Sequence, residues 1–249
     1  MIYISIPVHN EGRTIGLLLW KIRKVMAEFG RPYEICVFDD ASTDETPKVL
    51  SRYAGLIPLH QIRSDERVGY GRAIERLVRS VVDRSAYPKR DVMVTLQGDF
   101  TEDPEAIVVM VKKIEGGADL VAGNPSSVGA AVPAPVRACR RLAPIVLGRT
   151  FSRAPVKDSL SGFRAYRMIV LKKALRELQD DQMLLTSGGW GANLELLLRV
   201  APYVRRIEEA EFAMGSFRRE RASRFRAIQT LRTLVGLRGT VWPRTPERP

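Results

Sequence analysis

Cysteine and histidine are nearly missing from these 249 residues, with two of each. Cys36 and Cys139 have no second ligand at metal-site spacing, so both read as buried free thiols. With His9 and His60 the only histidines, a histidine-built metal site or a histidine-dependent triad lacks its members. No apolar run approaches the roughly 18 residues that cross a bilayer. The opening stretch "MIYISIPV" is too short for a signal-peptide core and has no basic residue ahead of it, which places the protein in the cytoplasm. There is no internal repeat, recognition-helix motif, metal-finger spacing or aromatic interleaving of a nucleic-acid surface, so nucleic acid is not an expected partner. A glycine fingerprint for dinucleotides is also missing from the first strand-to-helix turn. The glycine pair at 69 and 71 follows the third strand instead; it can cradle phosphate or simply turn the chain into a helix.

What the chain does have is basic charge: 40 Lys and Arg against 28 Asp and Glu, a net +12. Such an excess suits phosphates or an anionic membrane face. The charge concentrates near the end, where residues 217 to 238 hold seven arginines and one acid. Within that stretch Phe225, Ile228, Leu231 and Val235 share one helical face. Two readings stand: a helix lying on a membrane surface, or an amphipathic helix docked on the core.

The first 120 residues alternate β-branched runs with amphipathic stretches. "IYISIPV", "YEICVFDD", "IPLHQIR", "DVMVTLQ" and "ADLVAG" read as strands. "RTIGLLLWKIRKVMAEF", "STDETPKVLSRYA", "GRAIERLVRSVVD" and "DPEAIVVMVKKIEGG" read as helices between them. Ser42 and Glu45 have capping-box spacing, and Asp103 with Pro104 marks a helix start. This rhythm predicts an α/β fold, a mainly parallel sheet with helices on both faces. Beyond Gly123 a Gly-, Pro- and Ser-rich segment intervenes. It is followed by a helix near 136–151, "SLSGFRAYR", helices near 168–178 and 189–200, and a strand-like "VRRIEEAEFAM". The expected organisation is 1–123 as a binding half, 124–214 as a second half of the same domain, and 215–249 as a basic loop with an amphipathic helix.

Open parallel sheets bind ligands beyond the carboxyl ends of their strands. Four successive strand ends carry acids or amides: Pro7, His9, Asn10 and Glu11; Asp39 and Asp40; Ser64 and Asp65; Gln97 and Asp99. Together they predict one polar rim. Within "TLQGDFTEDPE", Glu102, Asp103 and Glu105 fit a first helical turn, where the helix dipole favours acids. That leaves Asp99, with Gln97 two residues before it, as the acid in the turn.

"SIPVHNEGRTI", "VFDDASTDET", "RVGYGRAI", "LQGDFTEDPE" and "DSLSGFRAYR", in this order, resemble family 2 glycosyltransferases of the GT-A fold. Within that family the chain is similar to the polyprenyl-phosphate mannose synthases over residues 1 to about 225. The resemblance implies an inverting transfer of a hexose from a GDP- or UDP-sugar to a phosphate- or hydroxyl-bearing acceptor, with a polyprenyl phosphate among the candidates. It implies a peripheral membrane contact if the acceptor is lipid-linked. Pro7, Asn10, Glu11, Asp39, Asp40 and Asp65 would hold base and ribose, and Arg219 and Arg221 the diphosphate. The family's Asp-x-Asp metal motif reads "QGD" here. Asp99 would therefore hold Mg2+ or Mn2+ with the donor diphosphate, and Gln97 would assist through its amide oxygen; a hard cation needs only one or two carboxylates. Asp158 and Glu195 are the implied acceptor-side acids, with Arg164 orienting the loop or pairing with phosphate. Two positions depart from the subgroup: Asn124 stands where an arginine is expected after the fifth strand. In "RACRRLAPIV", Arg137, Arg140 and Arg141 are kept, but Pro144 replaces a serine. A non-catalytic protein that keeps only the nucleotide crevice is the competing reading.

Overall fold

The computed structural model describes residues 1–125, 134–148, 156–179, 182–212 and 227–237. Seven strands form one sheet: β1 (Ile2–Val8), β2 (Tyr33–Asp40), β3 (Leu59–Ser64), β4 (Val92–Thr95), β5 (Leu120–Pro125), β6 (Arg164–Arg167) and β7 (Ile207–Phe212). Their order is β3-β2-β1-β4-β6-β5-β7. Pairing is parallel from β3 through β4 and again between β5 and β7. Only β6 runs the other way, against both β4 and β5.

The described helices are α1 (Ile15–Phe29), α2 (Thr46–Tyr53), α3 (Tyr70–Arg84), α4 (Ala106–Glu115), α5 (Ala134–Leu147), α6 (Met168–Arg176), α7 (Gly191–Val200) and α8 (Ala227–Gly236). A sheet covered on both faces needs strands apolar on both sides, and β1 shows it. Ile2, Ile4, Ile6 and Val8 alternate into one core layer with Ile15, Leu18, Leu19 and Ile22 of α1 and Ile107, Met110 and Val111 of α4. Tyr3 points into the other layer with Cys36, Phe38, Leu77 and Val81 of α3, Leu171 of α6 and Leu197 of α7. Each fully buried Leu or Ile contributes about 1.5–3 kcal/mol relative to exposure. Burial also pushes the Cys36 thiol up to about 12, which leaves it an inert core group.

The sequence places the first five strands and the helices between them within a few residues. β6 is the exception. "SLSGFRAYR" carries no alternating signal, and its strand exists only because β4 and β5 flank it; Arg164 pairs with Thr95 on one side and Ala122 on the other. The helix expected near 136–151 runs over Ala134–Leu147. The capping box at α2 does not form. Ser42 Oγ instead accepts the Asn10 N–H at 2.8 Å, and Asp44 Oδ1 takes the Thr46 N–H at 2.9 Å. Asp103 caps the turn ahead of α4 through the Glu105 N–H, three residues before the helix proper. The expected boundary at 123/124 falls inside β5, and the second half adds β6 and β7 to the same sheet. The C-terminal helix docks on the core through Thr230 and Leu234, while Ile228 and Val235 remain outside.

The approach of α3 to the 182–190 segment rests on a glycine. A Cβ at Gly71 would lie 2.3 Å from the Ser187 carbonyl oxygen. Helix propensity alone favours Gly71→Ala by up to about 1 kcal/mol. The clash reverses that sign, and thermal unfolding of Gly71→Ala is expected to show a loss of about 1–3 kcal/mol. An unchanged or raised melting temperature would contradict the packing.

Candidate active site

The parallel sheet sets the carboxyl ends of β3, β2, β1 and β4 side by side, so the four polar ends become one rim. Because β6 is antiparallel, its entry loop, residues 158–163, reaches the same rim. Thr95 Oγ1 ties the two together by donating to the Gly162 carbonyl at 2.6 Å.

At the β1 and β2 ends the loops are stitched to each other. Asn10 has φ 51°, in the left-handed region where asparagine is among the better tolerated residues. Its Oδ1 accepts the Thr43 N–H at 2.8 Å. The Glu11 N–H donates to Thr46 Oγ1 at 2.8 Å, and the Gly12 N–H to Asp44 Oδ2 at 3.0 Å. Burial would raise the Asp44 pKa, but the bonds from Thr46 and Gly12 outweigh it and hold the group below the ordinary value. Pro7 and Val8 end β1 against Gly98: a Cβ at Gly98 would sit 2.7 Å from Val8 Cγ1 and 3.5 Å from the Pro7 carbonyl oxygen. The glycine lets the 97–99 turn lie directly against the first strand.

Asp39 and Asp40 are both buried, yet they differ. Asp40 receives the N–H groups of Val68 (2.6 Å) and Gly69 (2.9 Å), so it holds the loop ahead of α3. Asp39 Oδ1 accepts the Ser42 N–H at 3.0 Å, but its Oδ2 is buried and finds no hydrogen-bond donor among the described residues. The nearest cation is Arg63 Nη1, at 3.5 Å. A buried carboxylate oxygen with no donor is costly; here it lies at the strand end where a ligand's N–H or hydroxyl would satisfy it. Asp65 is exposed on the bend after β3.

The 97–102 turn answers to a residue that sequence reasoning set aside. Glu102 was expected to be an ordinary first-turn acid. It is instead buried, and its carboxylate accepts the Gln97 N–H at 2.8 Å and Gln97 Nε2 at 3.3 Å. An acid at 97 would face this carboxylate with like charge, whereas the amide donates to it. The negative charge absent at 97 thus stands beside it, five residues later in sequence. Glu105 stands at the N-cap of α4, where the helix dipole favours an acid, and also pairs with Lys21. Asp99 Oδ1 is fixed by the Thr101 N–H at 3.1 Å and by the Thr101 hydroxyl, and Phe100 takes φ 60° to close the turn. Asp99 and the Gln97 amide oxygen are both oxygen donors, the type that Mg2+ or Mn2+ prefers. Among the described residues no three His, Cys, Asp or Glu side chains gather into a metal cage. These donors therefore fit a cation that draws its other ligands from substrate phosphates and water.

In the 158–163 loop, Asp158 Oδ1 takes the N–H groups of Leu160 (3.0 Å) and Ser161 (3.1 Å). Arg164 is fully buried and orients this loop by donating to the carbonyls of Ser159 (2.6 Å) and Asn193. Asn193 Nδ2 in turn donates to the Leu160 carbonyl, and Tyr70 OH donates to Asn193 Oδ1 at 2.9 Å. Burial and then the Glu102 carboxylate push the Tyr70 pKa well up, so it stays a neutral donor.

Glu195 is corrected from a proton acceptor to a loop-holding group. Its buried carboxylate receives the N–H of Thr186 (2.9 Å), the N–H of Ser187 (2.7 Å) and the Thr186 hydroxyl (2.9 Å). Glu75 does the same one step earlier, taking the N–H groups of Leu184 (3.0 Å) and Leu185 (3.3 Å). Two carboxylates on two helices thus bind four successive backbone N–H groups. Nothing in the spacing of Glu75 on its helix signals this, because the partners lie more than 100 residues away. Arg219 and Arg221 lie outside the described residues, as do the side chains of Arg137, Arg140 and Pro144.

The strand order and the reversed β6 among the described strands are those of the GT-A fold. The family model for "Glycosyl transferase family 2" matches residues 3–177, and the chain belongs to that family. It is 30% identical over 198 residues to a dolichyl-phosphate hexose transferase of Haloferax volcanii, covering 80% of this chain and 75% of that protein. It is 26% identical over 220 residues to glycosyltransferase AglD of the same organism, covering 83% of this chain but only 32% of AglD. Among solved structures, glucosyl-3-phosphoglycerate synthase of Mycobacterium tuberculosis, in complex with Mn2+, UDP and phosphoglyceric acid, superposes with TM-score 0.67 at 19% identity. That match covers 99% of this chain and 80% of the other.

The Glu75 clamp makes a pH prediction. Burial raises the Glu75 pKa, but the N–H of Leu184, the Arg79 guanidinium and the N–H of Leu185 outweigh it, leaving the carboxyl below the ordinary 4.5. A folded pKa below the unfolded one gives stability that is complete above about pH 5 and lost as pH falls through the folded value. Glu75→Gln is expected to cost about 2 kcal/mol at neutral pH and to flatten the fall of stability below pH 4.5, read by denaturant unfolding at several pH values. A variant with the wild-type acid slope would remove Glu75 from this role.

Proposed function

We propose that this chain transfers a hexose from a nucleoside diphosphate sugar to the phosphate of a polyprenyl phosphate, with inversion at the anomeric carbon. The observation that carries the donor half is the buried, donor-less Asp39 Oδ2 at the head of the rim, in line with Asn10, Glu11 and the Gln97–Asp99 turn. Such an oxygen suits a base N–H or ribose hydroxyls held in a dry crevice. The acceptor half draws on the relative named for dolichyl-phosphate hexose transfer.

In this reading an acceptor oxygen attacks the anomeric carbon from the face opposite the diphosphate. The bond from that carbon to the diphosphate oxygen breaks, and its electron pair leaves with the nucleoside diphosphate. A divalent cation, when bound by Asp99 with the Gln97 amide oxygen, would offset the charge on that leaving group. Glu102 keeps Gln97 in place, and Thr101 fixes the plane of the Asp99 carboxylate. Arg219 and Arg221 would add charge-assisted bonds to the diphosphate. Much of the rate comes from holding donor and acceptor in line. A phosphate acceptor is already anionic and needs no base. Asn124, at the end of β5 where the subgroup resemblance calls for arginine, favours a second reading: a soluble acceptor bearing a phosphate or a hydroxyl. For a hydroxyl, Asp158 would take the proton.

The test is purified protein with GDP- and UDP-hexoses, Mn2+ or Mg2+, and either a short-chain polyprenyl phosphate or soluble acceptors. Transfer from one donor is expected, with Asp99→Asn lowering kcat by about 100-fold or more. Asp39→Asn should weaken nucleotide binding about tenfold while leaving the fold intact. If the folded protein neither turns over any of these donors nor binds UDP or GDP, the donor reading is wrong. Nucleotide binding without sugar release would support the non-catalytic alternative.

A further inference from the structure

We propose that Tyr70 is a positioning residue whose hydroxyl, acting through Asn193, holds the 158–163 loop at the rim. That this loop serves the acceptor rests on the transfer reading above; the holding itself does not. Tyr70 opens α3 directly after Gly69. Gly69 takes φ 88°, a conformation that glycine adopts without strain. Its N–H and that of Val68 are bound by Asp40, so the end of β2 fixes where the Tyr70 ring starts. Asp40 follows Asp39, the carboxylate with the donor-less oxygen.

The Tyr70 ring packs against the core layer that contains residues of α3, α6 and α7, and a phenylalanine would pack there as well. The hydroxyl needs a polar partner, and it has one in a crowded place. It donates to Asn193 Oδ1 at 2.9 Å, and Asn193 Nδ2 donates to the Leu160 carbonyl at 3.0 Å. A Cβ at Gly162 would lie 2.6 Å from the Tyr70 hydroxyl oxygen and 3.1 Å from Asn193 Nδ2. The loop therefore lies directly on this pair, and the lack of a side chain at 162 is what admits it. From β4, Thr95 Oγ1 holds the Gly162 carbonyl at 2.6 Å.

This chain of bonds has a fixed sense. The Leu160 carbonyl only accepts, so it faces the amide nitrogen of Asn193. That turns Oδ1 toward Tyr70, which supplies the donor. Burial and the Glu102 carboxylate both disfavour the phenolate, so the donor persists at neutral pH. Glu102 is also the group that holds Gln97, so the hydroxyl lies in the field of the 97–102 turn while bonded toward the 158–163 loop. A phenylalanine at 70 would leave the buried Asn193 Oδ1 without this donor, and the amide would be free to swing away from Leu160.

The experiment compares amide hydrogen exchange, followed residue by residue by NMR, in the wild-type chain, Tyr70→Phe, Asn193→Ala and the double variant. The Leu160 and Ser161 N–H groups, which Asp158 accepts, are expected to exchange about tenfold faster in Tyr70→Phe. The Leu184 and Leu185 N–H groups are held by Glu75 of the same helix α3 and should stay within about twofold. Adding Tyr70→Phe to Asn193→Ala should change exchange at Leu160 no further, because the two groups act as one unit. In transfer assays Tyr70→Phe should lower kcat/KM for the acceptor about tenfold and leave the Kd for UDP or GDP within about twofold. Wild-type exchange at Leu160 and Ser161 in Tyr70→Phe overturns the proposal. So does equal acceleration at Leu184 and Leu185, which is the mark of general loosening, or additive effects in the double variant. A nucleotide Kd that moves as far as the acceptor parameter also overturns it. Failure of the wild-type chain to transfer to any acceptor counts against the reaction, while the exchange rates still decide whether Tyr70 holds the loop.

Discussion

Carboxylates that accept backbone N–H groups, five of them buried, hold the working edge of this protein together. Asp39 binds Ser42, Asp40 binds Val68 and Gly69, Asp44 binds Gly12 and Thr46, and Glu102 binds Gln97. Across the rim Asp158 binds Leu160 and Ser161, while Glu75 and Glu195 share residues 184–187. Charge-assisted bonds of this kind contribute about 1.5–3 kcal/mol each and are directional. Loops at the end of an open sheet have little apolar area to fix them, so they take their shape from these bonds. At the end of β2 the second oxygen of Asp39 finds no hydrogen-bond donor among the described residues, and Asp99 lies on the turn after β4.

This division explains what the sequence discloses and what it conceals. The strands and the four polar ends are legible because hydrophobic runs and strand-end acids are local features. β6 is not, since its pairing depends on β4 and β5 and not on its own alternation. Glu102 looks like a helix-dipole acid because the spacing to Pro104 and α4 fits one; only the fold brings its carboxylate back to Gln97. Glu195 looks like an acceptor-side acid because it follows Trp190 on a helix in a place where the family carries one. Its N–H partners at 186 and 187 are invisible to any periodicity. Ser42 likewise spends its hydroxyl on Asn10 across two loops instead of capping its own helix.

The departure at position 97 acquires a physical sense in this setting. Replacing an acid with an amide removes a ligand charge but permits a donor–acceptor pair with Glu102, so the turn keeps its shape and its local negative potential.

The account turns on Asp99 joining a cation to a nucleoside diphosphate. Calorimetric titration of UDP and of GDP into the protein, with and without Mn2+, examines this without requiring turnover. The account predicts that Mn2+ tightens binding of one nucleotide about tenfold or more in the wild-type chain and has no such effect in Asp99→Asn. Equal affinity with and without Mn2+ in the wild-type chain, or equal enhancement in both proteins, would contradict it.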